Sequence, residues 1–135
     1  MNDKLSILIK NFNSYCVTLS TFMSSITSTF SIKIYRDEII KLDKKQSNII
    51  IDTFVLSILK YENHILEGND SFFLGESFSE ITNNDEKMIM KVFEFKNIWK
   101  KINIDNKNQI KNYMKILCQI ARVYVDIVLE SRDLK

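Results

Sequence analysis

The sequence contains no proline, two glycines, two cysteines and one histidine, and these scarcities exclude several kinds of protein. Two cysteines are too few for the disulfide framework of a small secreted protein. Together with a single histidine they cannot form an ordinary structural zinc site, which takes four ligands. We therefore expect no metal ion and no cofactor. Cys16 and Cys118 are expected to be core thiols, while a bridge between them stays open as an alternative.

Long apolar runs are absent as well. No stretch approaches the roughly 18 consecutive apolar residues of a membrane-spanning helix. The apolar N-terminal stretch is interrupted by Lys10, Asn11 and Asn13 and lacks a small-residue cleavage site, so we expect no signal peptide. With 45% hydrophobic and 27% charged residues, the 135-residue chain has the composition of an ordinary globular protein. We therefore predict a single domain over residues 1–135, with no transmembrane segment.

The sequence does contain apolar residues at three- and four-residue steps, which is the pattern of amphipathic helices. Four to six helices are predicted, so the fold class is an all-α helical bundle. The strongest segments are residues 3–28, residues 47–66 and residues 106–132. Residues 29–35 alternate like a short strand and are predicted to form an extended connector. A short helix is predicted to follow over residues 36–42.

Several residues are predicted to mark helix ends. Gly68 is expected to end the helix over residues 47–66, because glycine adopts the left-handed conformation without a side-chain penalty. Asp105 or Asn106 is expected to cap the last helix, and Gln109 would complete a capping box with Asn106. Residues 67–86 are predicted to be an acidic connecting loop that contains three phenylalanines.

The charge distribution is more informative than the net charge of +2. Residues 1–60 carry a net charge of +3, residues 61–86 carry −7 and residues 87–135 carry +6. Three lysines recur four residues apart on the last helix and form what we call the lysine stripe: Lys107, Lys111 and Lys115. The whole candidate basic binding face comprises Lys96, Lys100, Lys101, Lys107, Lys111, Lys115 and Arg122. Such a face could neutralise the phosphates of RNA or DNA. The stronger interpretation is a solvated lysine stripe, which amphipathicity requires opposite a core face.

No residues have the spacing of a catalytic centre or a phosphate-binding loop. His64 is expected at a helix C-terminus, where a positive charge is favourable, and no partner for acid–base catalysis is evident. Trp99 and Tyr113 are candidates for an interface or core anchor. Phe95 and Ile98 share the face of Trp99, which favours the core. We therefore expect a protein that is not an enzyme, with no small-molecule substrate.

Residues 91–121 carry a family resemblance. They contain a tryptophan near the end of one helix, a polar turn and a helix with an I..YxKxL pattern. They resemble a family of small helical proteins encoded by nucleocytoplasmic large DNA viruses of the mimivirus and marseillevirus kind. Lys111 stands where that family often has tryptophan, and Met114 replaces its usual leucine. The matching positions are Phe95, Ile98, Trp99, Asp105, Ile110, Tyr113 and Leu117.

Two upstream stretches add to the resemblance. Residues 24–30 resemble the family's small-residue run ending in phenylalanine, with Ser31 in place of the usual proline. Residues 69–73 resemble a loop found before the tryptophan helix. The resemblance implies ancestry and fold, and it carries over no catalytic residues. The abundance of isoleucine, asparagine and lysine independently indicates an A/T-rich genome, which parasites, insect symbionts and some bacteria also have.

Together these observations predict a virus-encoded protein that acts by protein–protein interaction. The expected partner is a viral or host protein, or a second copy of the chain. The expected location is the virion or the viral factory in the host cytoplasm. The alternative is binding of nucleic acid or ribonucleoprotein through the basic face.

Overall fold

The computed structural model of the chain describes residues 3–27, 30–68 and 98–133, and these residues form helices and turns without a strand. The predicted all-α fold is therefore confirmed. Most of the predicted loop over residues 67–86 lies outside the described residues, and the single domain stays a prediction. In chain order the elements are α1 (Asp3–Ile26), α2 (Phe30–Lys44), α3 (Ile49–Ser57), a 3-10 turn (Leu59–Tyr61), α4 (Glu62–Leu66) and α5 (Ile104–Asp133), with residues 98–101 also helical.

α1 buries one face because its apolar residues repeat at helical steps. It packs along both α2 and α5. The ring of Phe12 also meets Phe54 of α3 edge to face, with centroids 5.2 Å apart and an interplanar angle of 72°, a favoured geometry for aromatic pairs. α1 therefore connects three other helices. The buried face consists of Phe12, Asn13, Cys16, Ser20 and Met23.

The turn between α2 and α3 is held by a buried side chain of α1. Gln46 lies in this turn in the left-handed conformation, with φ of 54°. Asn13, which has no exposed surface, donates from Nδ2 to the backbone carbonyl of Ser47 at 2.9 Å. The hydroxyl of Ser47 accepts from the backbone N–H of Ile49, the first residue of α3, at 3.2 Å. The turn is thus held in position by a hydrogen bond from the buried side chain of Asn13.

The predicted extended connector over residues 29–35 is wrong, because α2 already begins at Phe30. The alternation of Ile32 and Ile34 indicated a strand, but Ile32 is buried and Ile34 is 46% exposed. Ile32 and Ile39 are seven residues apart, share one helical face and both contact the core. Packing of that face outweighs the weak strand preference of β-branched residues.

The single helix predicted for residues 47–66 is interrupted by the 3-10 turn. Leu59 and Tyr61 are both buried, yet side chains two residues apart on an α-helix point about 200° apart. A continuous helix would leave one of them in solvent. The tighter turn, in which the N–H of Tyr61 donates to the carbonyl of Ile58 at 2.8 Å, directs both to the core. Gly68 follows α4 with φ of 71°, which confirms its predicted role as a helix end.

α5 begins at Ile104, and the predicted cap at Asp105 or Asn106 is wrong. The side-chain oxygen of Asn103 accepts from the backbone N–H of Asn106 at 2.8 Å, so Asn103 is the cap. Asp105 lies in the first turn, where its negative charge interacts favourably with the helix dipole. The predicted capping box between Asn106 and Gln109 is therefore wrong as well. Equally good capping residues at 103, 105 and 106 left the sequence ambiguous.

The core lies between α5, α1 and the α3–α4 segment. Trp99, just before α5, is 1% exposed and is the largest fully buried side chain among the described residues. At about 1.5 Å per residue, the 30 residues of α5 span about 45 Å, so α5 reaches α1, α3 and α4 along its length. The other buried apolar residues are Phe12, Cys16, Met23, Ile32, Ile51, Phe54, Leu59, Tyr61, Ile65, Ile98, Ile110, Leu117, Cys118, Ala121 and Tyr124.

Trp99→Ala is expected to lower the free energy of unfolding by about 3–5 kcal/mol, because it removes a fully buried ring and leaves a cavity. Urea titration followed by far-UV circular dichroism measures this change. Tyr15→Ala is the matched control, because Tyr15 is an aromatic residue on α1 with 37% exposure, and we expect it to cost less than about 1 kcal/mol. Equal effects of the two variants would contradict the burial of Trp99.

Asn103→Ala is expected to destabilise the protein by about 1 kcal/mol, because the N–H of Asn106 loses its acceptor. Asn108→Ala changes the same residue type at an exposed position inside α5 and should be neutral or slightly stabilising, since alanine has the higher helix propensity. Thermal unfolding of both variants distinguishes the two positions. A larger loss for Asn108→Ala would show that α5 starts elsewhere.

Candidate interaction surfaces

The predicted basic face lies along the first half of α5 and on the helical residues before it. Lys100 and Lys101 are exposed, and the three lysines of the lysine stripe are partly buried. Lys96 lies outside the described residues. The face therefore combines free surface at residues 100 and 101 with a stripe that contacts the rest of the protein.

Two lysines of the stripe lie over Trp99. The Nζ atoms of Lys107 and Lys111 are 5.7 and 6.0 Å from the ring centroid, which is cation–π distance. The stripe also borders Gly68. A Cβ built there would lie 3.9 Å from Cδ of Lys111 and 4.0 Å from Nζ of Lys115. The ammonium of Lys115 is thus close to the end of α4, where carbonyl groups favour positive charge.

Arg122 forms an ion pair with Glu62 of α4. Its Nη2 donates to one carboxylate oxygen at 2.8 Å and its Nε to the other at 3.5 Å. This hydrogen bonding, with the added negative charges of Glu62 and Asp126, raises the pKa of Arg122. Because the arginine side chain is 47% exposed, the pair is worth at most about 1 kcal/mol. The ion pair of Arg122 with Glu62 therefore links α5 to α4.

The two predicted anchor residues have different environments. Trp99 is enclosed in the core, as described above. Tyr113 is partly exposed on α5, and its ring lies 6.2 Å from that of Phe22 in α1, at an angle of 52°. Tyr113 thus contributes to the contact between α1 and α5.

A groove between α3 and the C-terminal half of α5 was not predicted from the sequence. Its volume is about 470 Å³. Leu56 of α3 is 81% exposed and Leu129 of α5 is 49% exposed, so each forms an apolar ridge on its wall. We call this feature the α3–α5 groove. It is lined by Asp52, Val55, Leu56, Tyr124, Val125, Val128 and Leu129.

Both ridge leucines lie beside the buried apolar seams of their helices, not on them. Along α3 the seam runs through Ile51 and Phe54, which are buried, and Leu56 is two residues past Phe54. Along α5 Leu129 directly follows Val128 of the seam. An apolar residue displaced from a seam is the signal that could have indicated the groove. Only the fold shows that the two displaced leucines line the same groove.

One polar pair lies in the groove. The hydroxyl of Tyr124 donates to Oδ1 of Asp52 at 2.7 Å. Burial, followed by the hydrogen bond and the negative charge of Asp52, raises the pKa of Tyr124 to about 12. The phenol therefore stays protonated at neutral pH and keeps donating to the carboxylate. The pair links α3 to α5 across the floor of the groove.

Both cysteines are free and buried. Burial and the charge of Asp43 raise the pKa of Cys16 to about 12. Burial and the charge of Glu62 raise the pKa of Cys118 to about 12 against the opposing effect of Arg122. Both side chains therefore remain thiols at neutral pH.

His64 is exposed in the last turn of α4. Within residues 3–27, 30–68 and 98–133, no three histidine, cysteine or acidic side chains come together in a group that could hold a metal ion. Across the same residues, no helix combines the length and apolarity needed to cross a membrane.

Comparison with known proteins places this all-α chain beside a protein of a giant virus. It is similar to "Uncharacterized protein R465" of Acanthamoeba polyphaga mimivirus, with 24% identity over 126 residues, which covers 87% of this chain and 70% of that protein. No family model matches the chain, and no solved structure matches it. The similarity is to the kind of virus that the sequence resemblance indicated.

We expect Cys16 and Cys118 to resist alkylation in the folded protein at pH about 8. Raising a thiol pKa from 9.0 to about 12 lowers the thiolate fraction about a thousandfold, and the thiolate is the reactive form. Mass spectrometry after timed iodoacetamide treatment, with and without urea, measures the effect. Labelling of either residue at the same rate in both conditions would contradict its burial.

Proposed function

We propose that this chain is a virus-encoded protein, not an enzyme, that acts by binding another protein through the α3–α5 groove. The exposure of Leu56 carries the proposal, because a leucine 81% exposed beside a second exposed leucine forms a ridge that a partner can cover. Burying one leucine side chain contributes about 1.5–3 kcal/mol. Because Leu56 is 81% and Leu129 49% exposed, covering both would contribute about 2–4 kcal/mol on the same scale.

The chemistry of the groove supports binding over catalysis. Its lining is hydrocarbon except for Asp52 and Tyr124. The tyrosine hydroxyl donates a hydrogen bond to the carboxylate, and its pKa of about 12 keeps it protonated. The more nucleophilic side chains, Cys16 and Cys118, are buried and remain thiols. A surface of this composition contributes affinity through burial of apolar area.

The similarity to the mimivirus protein supports the viral part of the proposal. A binding protein from such a virus would act in the virion or in the viral factory of the host cytoplasm. The partner would be another viral protein, a host protein or a second copy of the chain.

The basic face is the competing surface. Lys100 and Lys101 are exposed and would contact phosphates. Arg122 is paired with Glu62, and the lysine stripe contacts Trp99 and borders Gly68. These internal contacts favour a role of the stripe in folding, so binding of RNA or DNA is an outcome of the test below.

The test is capture of the partner from infected cells with the tagged chain, with and without nuclease treatment. The groove variant carries Leu56→Gln and Leu129→Gln, since glutamine keeps helix propensity and removes the apolar ridges. The control variant carries Ile34→Gln and Ile104→Gln, which replace isoleucines that are 46% and 63% exposed away from the groove. Wild type and control should retain the same partner after nuclease, and the groove variant should lose it.

Two results would overturn the proposal. Retention of the partner by the groove variant would place the binding surface elsewhere. Loss of all association after nuclease, together with salt-sensitive binding to mixed-sequence RNA or DNA that falls when the lysine stripe is changed to glutamine, would support the basic face. Unchanged circular dichroism of each variant establishes that the effects are on binding.

A further inference from the structure

We draw no further inference here: the strongest candidate, the apolar α3–α5 groove with its exposed ridges Leu56 and Leu129, already carries the proposed function, and nothing in the part of the chain that the structure describes shows what covers it.

Discussion

Burial of the apolar seam of α5 is the interaction on which the described structure depends. α1, α3, α4 and the 3-10 turn all pack on this one helix. The seam is formed by residues such as Ile110, Leu117 and Ala121, which are almost fully buried. Isolated helices as short as α3 and α4 are marginal in water, so these elements take their stability from contact with α5. Trp99 extends the same core beyond the start of α5.

Charge follows the length of α5 in a way that helix stability does not require. The lysine stripe occupies its first half, and Asp126, Glu130 and Asp133 occupy its last turns. Helix dipoles favour the opposite arrangement at both ends. The positive half is explained by local contacts with Trp99 and the end of α4. In the negative half, Asp126 lies four residues after Arg122, whose pKa its negative charge raises, and Glu130 is exposed four residues further on.

The elements that the sequence predicted well are those where one periodic pattern decides the structure. α1 and α5 have long seams, and both were located to within two or three residues. The start of α2 depended on packing against α1, which alternating isoleucines do not reveal. The break before α4 depended on burying both Leu59 and Tyr61, and the start of α5 on a choice among equivalent capping residues. Each of these outcomes is a tertiary effect.

The candidate surfaces show the same division. The basic face could be read from lysine spacing, but its contacts with Trp99, Gly68 and Glu62 required the fold. The sequence could indicate Leu56 and Leu129 as displaced apolar residues but not the groove they form, because they are 73 residues apart in the chain and line the same groove only after folding. The spacing of residues in the sequence was thus enough to predict the basic face. The apolar surface of the groove became visible only in the folded structure.

Asn13 favours one register of α1 against its neighbours. A helix face made of leucine, isoleucine and phenylalanine can pack against a neighbouring helix in several registers that differ by one turn. These registers bury nearly the same apolar area. The amide of Asn13 is fully enclosed and bonds to the carbonyl of Ser47. Sliding α1 by a turn would leave that amide enclosed without an acceptor, at a cost of about 1–3 kcal/mol. One polar atom therefore discriminates among packings that hydrophobicity alone treats as equal.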